Sequence, residues 1–183
     1  MRPEILAGPV VLRKYEPGFI PLLFEAARAS CSPLFTRYAR WCHPDYAVAD
    51  SEQFIAQCER DWQDGTAFNF ALLDARTSEL CGGIGLNQPN RVHGFYNLGY
   101  WVRPSRQGQG LASQATRQLA LAAFADLAEL NRLEILVVPD NLASQRTALA
   151  AGATREGLLR QRLLVGIDLQ DAILFSLIRA DIA

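Results

Sequence analysis

The stretch Arg103–Leu119, RPSRQGQGLASQATRQL, decides the fold. Pro104 stops the strand-like run before it, because proline cannot donate to a ladder. Gly108 and Gly110 flank Gln109, and a helical pattern opens at once with Leu111, Ala112 and Ser113. A helix start leaves several N–H groups without intrahelical partners, and the helix dipole makes that end positive. Glycines let a ligand approach such N–H groups with no Cβ in the way, and the natural ligand is a phosphate. The amides from Gln107 to Ser113 are placed to wrap one diphosphate. The same Gly-x-Gly is also compatible with a plain tight turn. Other phosphate loops fit badly: no Lys-Ser/Thr follows the last glycine, and the third glycine of a dinucleotide fingerprint is missing.

Outward from this turn, the pattern alternates between sheet and helix. Before it lie HGFYNLGYWVRP, SELCGGIGLNQ and AFNFALLD, three strands, with the turn DARTS between the last two. Earlier still, Val10–Tyr15 reads as a first strand, followed by two helices. Asp50 or Ser51 is the expected cap of the second helix, and Gly65 its stop. After the turn, Leu111, Ala115, Leu119 and Ala122 fall on one helical face. RLEILVVP is a β-branched strand, and NLASQRTALAAG a short helix capped by Asn141. LLRQRLLV and QDAILFSLI close the chain as a hairpin. The expectation is one α+β domain over residues 1–183. Its central sheet is mixed but mostly antiparallel, of about six to seven strands, flanked by about four helices.

Composition bounds the function. The 183 residues carry a net charge of −1, with half of them hydrophobic, which suits one globular domain. That charge implies no sequence-independent grip on nucleic acid. No run has the length of a membrane span, and the first residues lack a signal-like apolar stretch. Cys31, Cys42, Cys58 and Cys81 form no CxxC pair, so free buried thiols and a cytoplasmic location are expected. Cys42-His43 lacks a second Cys/His pair, so no metal site is expected.

With LGYWV before it, QGQGLA fits the pattern Gln/Arg-x-x-Gly-x-Gly/Ala in full. In that context the chain resembles the GCN5-related N-acetyltransferase (GNAT) superfamily, whose pyrophosphate loop for acetyl-CoA has this pattern. LGYWV, GQGLASQA, NLASQR, AAGATREGLLR and DAILFSLI are similar to its RimJ/RimL-type subfamily of ribosomal-protein N-terminal acetyltransferases. The resemblance implies that Gln107, Gly108, Gln109, Gly110, Leu111, Ala112 and Ser113 hold the pyrophosphate. It implies that Trp101 and Val102 stand at the splayed strand end that pairs with pantetheine. Asn141, Ser144 and Arg146 would line the same channel.

Acetyl transfer to an amine needs a neutral amine, a polarised carbonyl and a proton for the leaving thiolate. The residues that the family usually supplies for this are thin here. Asn97 stands where a carboxylate is usual, and Ala148 where a tyrosine is usual. Leu163 falls near the position of a third, occasional carboxylate. Ser144 is the available hydroxyl for the leaving thiolate. Trp41, His43 and Tyr100 are the candidate acceptor-binding residues, although the first two also suit a packed loop and Tyr100 a core position. Glu134 faces solvent or an arginine, and Asp171 is either acceptor-side or structural. The resulting expectation is an acetyl-CoA-dependent enzyme acting on a primary amine, most simply a protein N-terminus. A small amine is the alternative acceptor, a regulatory acetyl-CoA-binding module the alternative role, and a homodimer is compatible with either.

Overall fold

A computed structural model describes residues 1–36, 38–39, 41–165 and 167–182. The strands are β1 (Glu4–Ala7), β2 (Val10–Lys14), β3 (Phe68–Asp74), β4 (Leu80–Asn90), β5 (Phe95–Val102), β6 (Arg132–Val137), β7 (Thr154–Val165) and β8 (Asp168–Ile178). The helices are α1 (Ile20–Ser30), the single turn α2 (Pro33–Thr36), α3 (Val48–Asp64), α4 (Leu111–Asp126) and α5 (Leu142–Ala150). All eight strands form one sheet in the order β1-β2-β3-β4-β5-β6-β8-β7. Every neighbouring pair is antiparallel except β5 and β6. The mixed, mostly antiparallel α+β sheet is therefore present, with one strand more than the sequence suggested.

The extra strand is β1. Ile5 and Ala7 point into the core while Leu6 is 72% exposed, so an outward leucine hides the alternation that marks a half-buried strand. Gly8, at φ +65°, turns the chain into β2, a left-handed conformation that side chains rarely adopt. The start of α3 also differs from expectation. The helix begins at Val48, and Asp50 accepts the Ala47 N–H at 2.7 Å from within the first turn. The helix gains the acidic residue its dipole favours, but its boundary lies earlier.

Two cores sandwich the sheet. On one face α4 buries Leu111, Ala115, Leu119 and Ala122 against Leu12, Phe70, Leu98 and Leu133. Leu119 and Leu133 are fully buried, and burial of each such leucine is worth about 1.5–3 kcal/mol. On the other face α1 and α3 bury Leu23, Ala26, Ile55 and Cys58 against Ala71, Leu73 and Leu80. Cys58 and Cys81 are free, buried thiols. Cys31 and Cys42, by contrast, are joined by a disulfide with Cα atoms 5.5 Å apart, which corrects the expectation of four free thiols. The bond ties the end of α1 to the segment carrying Trp41 and His43. Among the described residues no helix is long and apolar enough to cross a membrane.

The β3–β4 turn steadies the lip of the glycine loop. Asp74 accepts the backbone N–H groups of Arg76 and Thr77 at 2.9 and 3.1 Å, and its other oxygen pairs with Arg106, just before the loop. These bonds, the backbone ones first, hold its carboxyl at about 2. A carboxyl depressed below its unfolded value of about 3.9 contributes stability above that pH and loses it as pH falls toward 2. Urea unfolding of Asp74→Asn should therefore show a variant less stable than the parent at pH 7, with the gap closing between about pH 4 and pH 2. A gap that persists unchanged at pH 2 would contradict this assignment.

Candidate active site

The parallel ladder of β5 and β6 is short. Phe95, Tyr96 and Asn97 stand opposite Arg132, Leu133 and Glu134, and no further pair forms. Beyond Asn97 the strands diverge, leaving a cavity of about 240 Å3. Leu98, Gly99 and Tyr100 line it from β5, and Ile135 to Val138 from β6 and its end. Asn141 and Ser144 close it from the start of α5, Tyr38 from the segment after α2, and Leu163 to Val165 from the end of β7.

The backbone of β5 is polar toward this gap. Arg103 donates its N–H to the Cys81 carbonyl on β4 at 2.9 Å. Strand alternation then turns the N–H groups of Tyr100 and Val102 to the other, open edge. The Val102 carbonyl on that edge accepts Gln107 Nε2 at 2.9 Å, which straps the glycine loop to the strand end.

The loop itself presents bare backbone. Gly108 and Gly110 both have φ +73°. A Cβ at Gly108 would meet nothing within 4 Å, so the protein leaves that space open. Gly110 is the N-cap of α4 and supplies no side chain, and no acidic residue stands in the first turn. The N–H groups of Leu111, Ala112 and Ser113 thus have neither a helical acceptor nor a carboxylate beside them. Ser113 Oγ donates to the Gly110 carbonyl at 2.9 Å, and Gln109 Nε2 reaches the Ser105 carbonyl at 3.5 Å. A positive helix end, open glycines and an adjacent polar strand edge together fit a diphosphate followed by an extended amide-bearing arm, as in coenzyme A.

Two hydroxyls meet inside the cavity. Tyr100 Oη donates to the Ser144 carbonyl at 2.9 Å and lies 3.0 Å from Ser144 Oγ. Burial pushes the Tyr100 phenol up to about 12, against the smaller opposing effect of its bond to Ser144. The phenol therefore stays protonated at neutral pH and acts as a hydrogen-bond donor. Asn141 Oδ1 accepts the Ser144 N–H at 3.1 Å, so it caps α5 as expected and fixes Ser144. Ala148 is fully buried.

Other candidates lie apart. Asn97 donates from Nδ2 to Asn87 Oδ1 at 2.9 Å and is not among the cavity-lining residues. Arg146 is exposed on α5 and does not line the cavity either. Glu134 pairs with Arg132 at 3.0 Å. Asp171 accepts the Gln161 N–H at 2.9 Å within the β7–β8 hairpin. Trp101 projects to the face of α1 and α3, where its ring lies 5.0 Å from that of Trp41. Phe35 and Tyr46 meet Trp41 edge-on at 5.8 and 6.1 Å. His43 stands 5.8 Å from the Tyr46 ring, with Nε2 3.8 Å from Asp50. Trp41 and His43 thus share one aromatic wall with Trp101, and Trp41 keeps 38% of its surface exposed. Among the described residues no three His, Cys, Asp or Glu side chains stand together as metal ligands.

Sequence reasoning missed Tyr38 and Asp140. Tyr38 Oη donates to Asp140 Oδ1 at 3.1 Å, joining the aromatic segment to the turn before α5. No local pattern signals this pair, whose members are 102 positions apart.

A family model described as the acetyltransferase (GNAT) domain matches residues 10–154. The ribosomal-protein-serine acetyltransferase of Escherichia coli (strain K12) is 34% identical over 101 residues, 55% of this chain and 56% of that protein. A Vibrio cholerae protein of solved structure, provisionally described as a ribosomal-protein-serine acetyltransferase, is 31% identical. It superposes with a TM-score of 0.81 over 97% of this chain and 99% of that one. RimL, a ribosomal L7/L12 α-N-protein acetyltransferase solved in complex with coenzyme A, shares the fold at 21% identity. Its TM-score is 0.84, over 98% of this chain and 99% of that one.

Replacing Gly110 by valine combines a disfavoured φ with a branched side chain at the helix mouth. Calorimetry should show coenzyme A binding weakened at least about ten-fold, since both effects act on the ligand-facing backbone. Unchanged affinity would place the diphosphate elsewhere.

Proposed function

The chain belongs to the acetyltransferase (GNAT) family and is an acetyl-CoA-dependent N-acetyltransferase of the RimJ/RimL type, and from that premise we propose that its acceptor is a protein N-terminal α-amine. The Escherichia coli relative, a ribosomal-protein-serine acetyltransferase, supports this reading. The observation that carries it is the chemistry of the cavity wall. Among the described residues, tyrosine, serine, asparagine, glycine and aliphatic groups line it and no carboxylate does; Asp140, bonded to the lining Tyr38, is exposed to solvent. A polyamine brings several positive charges, and burying them without anionic partners is costly. An α-amine has a reference pKa of about 7.7–8.0, so an appreciable fraction enters neutral at physiological pH. The aromatic wall of Trp41 and Trp101 offers apolar surface for the residues that follow such an N-terminus. Trp41, His43 and Tyr100 accordingly remain our acceptor-side residues. We place the reaction in the cytoplasm and retain the homodimer as compatible with it.

Bound acetyl-CoA supplies an acyl group activated as a thioester. The chain's own residues orient and polarise it. The loop from Gln107 to Ser113 anchors the diphosphate, and the N–H groups of Tyr100 and Val102 face the arm along the open strand edge. An N–H directed at the thioester carbonyl stabilises the charge that develops there. Ser144 Oγ is the hydroxyl for the leaving sulfur, and the neutral Tyr100 phenol holds it in place. Arg146, exposed on α5, would reach only the outer part of the cofactor. Asn97, bonded to Asn87, would act at most on the orientation of the acceptor. Proximity supplies much of the remaining acceleration.

Purified protein should release thiol from acetyl-CoA with Ser- or Ala-initiated peptides faster than with spermine or free amino acids. A preference for the small amines would support the alternative acceptor class. Binding of acetyl-CoA without turnover of any amine would support the regulatory module. In the same assay Ser144→Ala should lower kcat roughly ten-fold, near the low end for general acids, while the KM for acetyl-CoA stays within about two-fold. Equal changes in kcat and in cofactor affinity would reduce Ser144 to a positioning group.

A further inference from the structure

The sulfur side of the cavity has a hydroxyl, but the amine side lacks the usual carboxylate, since Asn97 is bonded to Asn87 and lies outside the cavity lining. We propose that Tyr38 and Asp140 together carry the amine proton out of the site, Tyr38 as the catalytic residue touching the amine and Asp140 as the group that acts through it.

Three observations place the pair there. Tyr38 lines the same cavity as Ser144 and Tyr100. Its hydroxyl donates to Asp140 Oδ1 at 3.1 Å. Asp140 is exposed, so a proton that reaches it passes directly to water. Tyr38 also belongs to the segment that carries Trp41, the wall we assign to the acceptor, whereas Asp140 adjoins Asn141 on the cofactor side. The bond therefore spans the mouth at which amine and thioester meet.

A phenol hydrogen-bonded to a carboxylate can accept a proton on its oxygen while it passes its own to the carboxylate. As the amine nitrogen bonds to the acyl carbon, its surplus proton moves to Tyr38 Oη, and the Tyr38 proton moves to Asp140 Oδ1. The C–S bond breaks with its electron pair on sulfur, which takes the Ser144 hydroxyl proton, and Ser144 regains a proton from water. Asp140 then yields its proton to water. One proton leaves the amine and one reaches the thiol, so amine and thioester become amide and thiol with nothing left over.

The proposal rests on acetyl transfer to an amine and not on which amine is used. It is tested with whichever amine of the screen above the intact enzyme acetylates fastest, so an error in the acceptor changes the substrate and not the outcome. Asp140→Asn keeps an oxygen that accepts the Tyr38 hydrogen bond but cannot take up a proton. Its kcat should fall at least about ten-fold with KM for amine and acetyl-CoA within about two-fold, and Asp140→Glu should recover most of the loss. Tyr38→Phe should match Asp140→Asn in kcat, and the double variant should lose no more than either alone, as expected of one relay. A wild-type kcat in Asp140→Asn, additive losses in the double variant, or a loss confined to KM would overturn the proposal. Circular dichroism melts confirm that each variant is folded. Should Tyr38→Phe fail to fold, the contrast between asparagine and glutamate at position 140 decides alone.

Discussion

The parallel ladder between β5 and β6 ends after Asn97 and Glu134, and the chemistry of the molecule is arranged around the gap that follows. A paired strand edge satisfies its own N–H and C=O groups, whereas a diverging edge must find other partners. Here the N–H groups of Tyr100 and Val102 are turned to that open edge. The chain uses Gln107 to satisfy the Val102 carbonyl, and the same bond draws the glycine loop against the strand end. On the proposed reading, the cofactor path would continue the sheet by other means: helix end first, strand edge next, and the acyl group deepest. The gap exists because the α4 crossover delivers β6 in register for only three residues before the two strands separate.

Around the gap the polar groups are sparse and each is fixed. Ser144 is held at its N–H by Asn141 and at its hydroxyl by Tyr100. Tyr100 is itself kept neutral by burial, so it cannot compete as an anion for the incoming group. Charge is instead placed outside the wall, where water can share it. Arg106 is engaged by Asp74, and Arg103 by Glu25 at 2.6 Å, so neither is spent on the cavity. A site of this kind would rely on orientation and on backbone dipoles more than on charged side chains, as the proposed α-amine acceptor requires.

The parts of this arrangement legible in the sequence are those fixed by local rules. Pro104, Gly108 and Gly110 punctuate strand, loop and helix, and the spacing of Leu111, Ala115, Leu119 and Ala122 marks the buried face of α4. Asn141 announces the α5 cap. The rest depends on side chains that meet only after folding. Strand β1 escaped because Leu6 points outward. The start of α3 escaped because the Ala47 N–H is satisfied from Asp50, inside the helix. The Cys31–Cys42 bond and the Tyr38–Asp140 bridge escaped because neither spacing carries a signature. The packing of Trp41 on Trp101 escaped for the same reason, although both tryptophans had been singled out for separate roles.

One consequence of the short parallel join is mechanical. By hydrogen bonding the sheet is a single body of eight strands, but its two halves share only the three-residue seam between β5 and β6. The far leaf of β6, β8 and β7 is held to the near one by Phe175, Leu177 and Leu133, which sink into the core beneath α4. Lateral cohesion comes from oily contacts, which tolerate small sliding, more than from rungs, which do not. Side-chain volume in that core would therefore bear on the width of the gap between β5 and β6, some distance from it.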